Sequence, residues 1–594
     1  MNEPDLRDLL AAVKAGRTSR RVFLRKMARL GLAAPLASQL LARAGLAQAP
    51  VQGEYKPAKA GGGGPLKLLF WQAPTLLNPH FSTGAKDTQA SLIFYEPLAT
   101  WDPEGNLVPV LAAEIPDIEN GGLAADGMSV TWKLKRDVRW HDGRPFTADD
   151  VVFNWEYASD PTTTAATIGF YQDVRVEKLD SLTVRVLFER PTPFWAGKLS
   201  TIVPKHLFEP YKGANSREAP ANLKPVGTGP YRFVEFKPGD MIKAERNPDY
   251  HLPNRPYFDT LELKGGGDAV SAARAVIQTG EYDFAWNLQV EDEILVRLEN
   301  AGNAKGRVDI VQGGNIEHIE LNCADPWTEV DGERSSLKTV HPLLSDRAVR
   351  KALAVLVDRA AIEKYIYGRT GLATANFVNG PKRFVSPNTS WEFDIDKANR
   401  LLDEAGWQRG PDRIRAKDGK KLKFVFQTSI NAPRQKTQAI VKQACQKAGI
   451  DLELKAVTAS VYFSSDEANP DTSRKFYTDL QMFTTTTGVP DPEGFMRQFV
   501  SWEVASKQNK WQGRNISRWR NEAYDRVFRA AEGELEPVKR AALMIEMNDM
   551  VVGEPVVIPV VYRPAVTGMA HRLRGRGGWG DNALGELRNW YRET

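Results

Sequence analysis

Between Thr131 and Phe153 the chain reads TWKLKRDVRWHDGRPFTADDVVF, and the spacing of its apolar positions changes halfway. Trp132, Leu134 and Val138 are set against Lys133, Lys135 and Arg136, which predicts a half-buried strand. A turn follows at His141-Asp142-Gly143. Thr147 then stands where a helix N-cap belongs, with Asp149 and Asp150 near the positive helix end and Val151, Val152, Phe153 and Trp155 opening an apolar face. Elsewhere Leu66 to Trp71 reads as a buried strand, and Thr183 to Phe188 and Lys421 to Gln427 as two more. Ser345 is placed to cap a helix from about Asp346, with Val349, Leu353, Leu356 and Ala360 on one face. Asp396 opens another, which Gly406 closes as its left-handed C′ residue. Strands alternating with helices predict an α/β fold; there is no repeat period and no heptad.

The first residues carry an address. Ser19-Arg20-Arg21-Val22-Phe23-Leu24-Arg25-Lys26 has the twin-arginine export pattern, followed by a modest apolar run from Leu30 to Leu41. That run is shorter than the roughly 20 residues a bilayer span requires, so residues 1–44 read as a signal peptide. Ala42-Arg43-Ala44 and Ala47-Gln48-Ala49 are both cleavage candidates, the first preferred because Pro50 follows the second. Residues 45–65, ending in four glycines, read as a flexible linker that cannot repay its ordering entropy.

Removing the leader changes the charge balance. The whole chain has 79 basic and 74 acidic residues, but Met1 to Ala44 holds nine of the former and three of the latter, leaving 70 against 71 and a net charge of −1. The basic excess belongs to the export signal, so nothing argues for nucleic acid as a partner. The rest of the chain is long enough for about three domains. Cys323 and Cys445 are far apart and define no disulfide scaffold, and no cysteine stands near the leader for lipid attachment, which points to a soluble periplasmic protein.

A search for catalytic constellations returns little. The seven histidines include no H-x-x-x-H pair, the cysteines no C-x-x-C, and there is neither a Walker A loop nor a G-x-S-x-G elbow. Gly265-Gly266-Gly267-Asp268 lacks the Lys and Ser/Thr of a phosphate loop and reads as a flexible lead into a helix. His141 reads as a turn-stabilising hydrogen-bonding residue.

Six motifs in order carry a resemblance. They are Tyr95-Glu96-Pro97-Leu98 with Trp101 and Leu107-Val108-Pro109; the Thr131 to Phe153 stretch; Val226-Gly227-Thr228-Gly229-Pro230-Tyr231; Thr279-Gly280-Glu281-Tyr282-Asp283; Asp346 to Asp358; and Leu401 to Trp407. Together they resemble the solute-binding proteins of peptide-type ATP-binding-cassette importers, the dipeptide/oligopeptide/nickel family 5. The resemblance implies a large two-lobed periplasmic-binding-protein fold with an extra subdomain. Lobe one would take 66–94, 224–313 and 555–594, the subdomain 95–223, and lobe two 314–554, with passages near Gly313-Gly314 and Gly553-Glu554-Pro555. It also implies a receptor that hands a solute to an inner-membrane permease, works as a monomer without a cofactor, and is not an enzyme.

In peptide-binding relatives a lobe-two segment supplies a tryptophan and an Asp for the peptide's α-amino group. Aligned on Asp491-Pro492, this chain has Thr485 and Gly488 at those positions. An ammonium buried without its carboxylate would cost several kcal/mol, which argues against a free peptide N-terminus. Thr484, Thr485, Thr486 and Thr487 instead offer hydroxyls for a polar solute, peptide-like, opine-like or an oligosaccharide; the other reading is that they bond to backbone. Asp491 fits a turn better than a ligand contact. Trp71, Trp286 and Asn287 are stacking candidates, with core packing as the alternative. Two further readings stay open: a twin-arginine-exported enzyme with a bound cofactor, and a receptor for a metal chelate.

Overall fold

The computed structural model describes residues 55–593 except 104, 200, 487, 488, 576 and 581. The expected signal peptide, both cleavage candidates, Thr487 and Gly488 lie outside the described residues.

The fold is organised by one large mixed sheet. Apart from a two-residue strand at Leu372–Ala373 that pairs with the last of them, its strands in chain order are β1 (Pro65–Phe70), β2 (Tyr231–Lys237), β3 (Met241–Arg246), β4 (Thr260–Gly265), β5 (Phe284–Trp286), β6 (Gly306–Leu321), β7 (Lys423–Ser429), β8 (Asp451–Val457), β9 (Leu480–Thr485) and β10 (Val557–Ala570). They lie in the order β8-β7-β9-β6-β10-β5-β1-β4-β3-β2. The strands expected around Leu66, Thr183 and Lys421 are all present, the last beginning two residues later.

β6 and β10 are long antiparallel partners that run through both halves of the molecule. Their register shifts between Val311 and Asn315, opposite Arg563 to Ala565. Before that shift β6 pairs only with β10; beyond it, residues 316–321 also pair with β9. The cores divide at the same place. Leu66, Phe94, Trp132, Phe258 and Trp590 belong to a core shared by the first lobe and residues 95–223, whereas Ile319, Phe426, Leu480, Ile558 and Val561 belong to the second. Ile558, Val560 and Val561 therefore pack with Ile319 and Leu480, and the register shift at 563–565 follows them along the same strand. One strand, β10, is long enough to serve both lobes.

The motif region folds largely as read, except that the strand, Ser129–Lys133, ends before Leu134 and Val138, and Asp137 with φ +60° breaks the extended run. Thr147 caps a helix over Ala148–Ser159, and Asp150 returns the bond by accepting from Thr147 N–H at 3.0 Å. His141 Nδ1 accepts from Gly227 N–H at 3.1 Å and Nε2 donates to the Gly229 carbonyl at 3.0 Å, tying the two motifs together. Burial pushes that imidazole down to about 4, so it is neutral at physiological pH. Asp268 caps the helix Ala269–Ile277 through Val270 and Ser271 N–H. Three local readings shift. Asp346, not Ser345, caps Arg347–Val355, and Asp394, not Asp396, caps Ile395–Glu404; in both, an Asp one residue before the helix reaches the first-turn N–H groups. The glycines expected in a free linker are held: Gly62 and Gly64 N–H donate to Asp259 at 2.9 Å, and a Cβ on Gly63 would lie 2.4 Å from the Tyr257 ring. Both cysteines are free thiols.

Candidate functional site

A cavity of about 510 Å3 lies between the lobes, within the usual range for small-molecule sites. The first lobe and residues 95–223 contribute Trp286, Asn287 and Phe170, and the second contributes Thr484 and Thr485 from the end of β9 and Thr486 just after it. The lobes touch at its margins. Asn431 Nδ2 donates to Gln289 O at 3.0 Å, and Lys198 lies 3.7 Å from Glu493.

The wall is built on a buried charge network. Glu317 on β6 pairs in register with Thr484 on β9 and is wholly buried. Its carboxylate accepts from Arg434 Nε at 2.8 Å, from Gln289 Nε2 at 2.8 Å and from the Thr484 hydroxyl at 2.5 Å. Thr484 Oγ1 in turn accepts from Arg434 at 3.0 Å and Arg563 at 2.9 Å. Burial alone would raise the Glu317 pKa; the Arg434 and Arg563 guanidiniums outweigh it and hold the carboxyl below its ordinary value. Helix Ala432–Ala448 positions Arg434 in its first turn, where Asn431 caps it.

The sequence-derived candidates fall in three places. Thr484, Thr485, Thr486, Trp286 and Asn287 line the cavity together. The Thr485 hydroxyl is buried and has no partner among the described residues. Trp286 is stacked on Phe70 with ring centroids 4.9 Å apart, so most of its surface is spent on the core. Asn287 adopts φ +54°, a conformation asparagine tolerates, and its carbonyl accepts from Trp71 Nε1 at 2.7 Å. Trp71 itself is outside the lining, buried among Ala272, Val276 and Leu295. Asp491 is also outside it, paired with Arg540 and accepting from Glu493 N–H at 2.9 Å. Thr487 and Gly488 are not among the described residues.

Sequence reading missed Arg434, Arg474, Arg514, Arg563, Lys86 and Glu317. The one available signal was Glu317 beside Ile316 in a strand-like stretch that also holds Ile319 and Leu321, since a carboxylate in a central strand needs a buried partner. No histidine is among the described lining residues. Nor do three or more His, Cys, Asp or Glu residues converge as a metal site among the described residues. No described helix is long and apolar enough to cross a membrane.

Comparison with known proteins agrees with this architecture. Residues 106–507 match the family described as bacterial extracellular solute-binding proteins, family 5 Middle. The oligopeptide-binding protein AppA of Bacillus subtilis is 30% identical over 421 residues, 69% of this chain and 71% of the relative. The structure of that AppA in complex with a nonapeptide superposes with a TM-score of 0.76 at 25% identity, covering 91% of this chain and 100% of AppA. AgaA from A. tumefaciens R10, solved with agropinic acid, gives 0.72 at 17% identity, covering 89% and 99%, a likeness of fold. The chain belongs to family 5 of the bacterial extracellular solute-binding proteins, binding components of ATP-binding-cassette importers, and is a receptor and not an enzyme.

Proposed function

We propose that this receptor is exported by the twin-arginine route to the periplasm, where as a monomer it captures a polar solute lacking a free α-amine and delivers it to an inner-membrane permease. The observation that carries this reading is the cavity wall: hydroxyls, amides and guanidiniums, with no Asp or Glu among the described lining residues. An ammonium entering such a wall would lose water without gaining a carboxylate. The buried, unpartnered Thr485 hydroxyl is a contact such a solute would complete. The structures of relatives hold a nonapeptide in AppA and agropinic acid in AgaA, and the second is the kind of polar solute proposed here. Closure of the lobes, pivoting near 311–315 and 563–565, then requires that the solute contact both better than water does.

The test uses mature protein freed of bound solute in guanidinium and refolded. It should gain thermal stability when returned to a small-molecule extract of its own periplasm. No gain in a correctly refolded protein would contradict the receptor reading.

A further inference from the structure

Resting on that receptor reading, we propose that the transported solute is an oxyanion, a molecule bearing a carboxylate or phosphate group that seats between Arg474 and Arg514. Five cationic residues line the cavity: Lys86, Arg434, Arg474, Arg514 and Arg563. Three of them face carboxylates behind the wall, Lys86 with Asp87 at 2.7 Å, Arg434 with Glu317 at 2.8 Å, and Arg563 3.7 Å from the same Glu317. Arg474 and Arg514 differ, because no carboxylate of the described residues lies within ion-pair distance of either.

The two are neighbours through the backbone. Arg474 Nη1 donates to the Gly513 carbonyl at 2.7 Å, which anchors one edge of its guanidinium beside Arg514. The Arg514 guanidinium lies over the Phe170 ring, 5.4 Å from its centroid, and Phe170 comes from the opposite lobe. The nearest acids stand farther off, although the Glu503 charge still acts on both arginines. Glu503 pairs with Arg497 at 3.2 Å, and burial pushes the Glu320 carboxyl up to about 8, so it supplies no countercharge at neutral pH. Burial also lowers both arginines, Arg474 to about 10, without neutralising them. Desolvated guanidinium forks with no carboxylate in direct contact match the bidentate geometry of carboxylate and phosphate oxygens. An anion there would touch both guanidiniums at the place where Phe170 closes the cavity, coupling its capture to lobe closure.

The experiment divides the periplasmic extract on an anion-exchange resin at pH 7 and titrates each fraction into wild type and into Arg474→Gln/Arg514→Gln, followed by thermal shift. The retained fraction should stabilise the wild type, and the double variant should need about 100-fold more of it. Circular dichroism and an unliganded melting temperature confirm that the variant is folded; if it is not, each single variant should show about a tenfold loss. Mass spectrometry of the captured solute separates carboxylate from phosphate. Stabilisation by the flow-through alone, or by the retained fraction equally in both proteins, would overturn the oxyanion inference and leave the receptor intact. No response to either fraction would overturn the receptor reading and this inference with it.

Discussion

The Thr484 hydroxyl donates to the Glu317 carboxylate at 2.5 Å while accepting from Arg434 and Arg563. One member of the threonine tract is thus consumed in holding the wall, whereas the buried hydroxyl of Thr485 has no described partner. Thr484→Val should lower stability by about 1 to 3 kcal/mol, because three charged groups lose a shared hydrogen-bonding centre. Thr485→Val should leave the melting temperature unchanged and raise the amount of periplasmic extract needed for half-maximal stabilisation about tenfold. Thermal unfolding with and without extract separates the two, and identical behaviour of the two variants would contradict this division of roles.

Glu317→Gln should be more damaging. It leaves Arg434, itself buried, facing an uncharged amide, a change that typically costs about 3 to 5 kcal/mol. The folded-state pKa of Glu317 is depressed, so its contribution is complete above the ordinary value of 4.5 and is lost as pH falls below it. Denaturant unfolding at pH 7 and pH 3 should show a large wild-type advantage at the first that narrows at the second.

Buried histidines and a buried glutamate set an optimum. His80, His141 and His318 are each pushed down to about 4 by burial, so on unfolding between pH 4 and 6.5 they take up protons and stability falls as pH drops. Glu320, pushed up to about 8 by burial, acts oppositely: the folded chain keeps a proton that the unfolded one loses above 4.5, and stability falls as pH rises towards 8. Glu493 and Asp150, also raised by burial, act in the same sense as Glu320 just above the ordinary carboxylate range; towards pH 6.5 the three histidines dominate, and beyond it Glu320 does. The melting temperature should peak near pH 6.5, and Glu320→Gln should flatten the alkaline side. A wild-type melting temperature that climbs steadily through pH 8 would remove Glu320 from this account.

Local structure was legible where it depends on residues close in sequence. Thr147 as a cap and Gly406, with φ +85°, as a helix terminator need only short-range geometry. The motif Val226 to Tyr231 was recognised only by its resemblance, and its reason is tertiary: a Cβ on Gly227 would lie 1.8 Å from the Phe94 carbonyl oxygen. The site was harder to read because its charges come from segments far apart in the chain. Glu317, Arg434 and Arg563 meet only through sheet register, which periodicity cannot supply. The linker glycines were misread for a related reason. Composition argues for freedom, whereas Asp259, almost 200 residues away, provides the acceptors that fix them.

The export address makes its own demand. Replacing Arg20 and Arg21 by Lys should leave unprocessed precursor in the cytoplasm, read by fractionation and immunoblotting. Normal processing and periplasmic recovery of that variant would place export on another route.

The most direct test of the central claim is native mass spectrometry of the protein purified from its own periplasm, followed by release and identification of what it holds. The account expects one small polar solute per chain, bearing acid or hydroxyl groups and no free α-amine. An ordinary peptide with a free amino terminus, bound one to one, would contradict it.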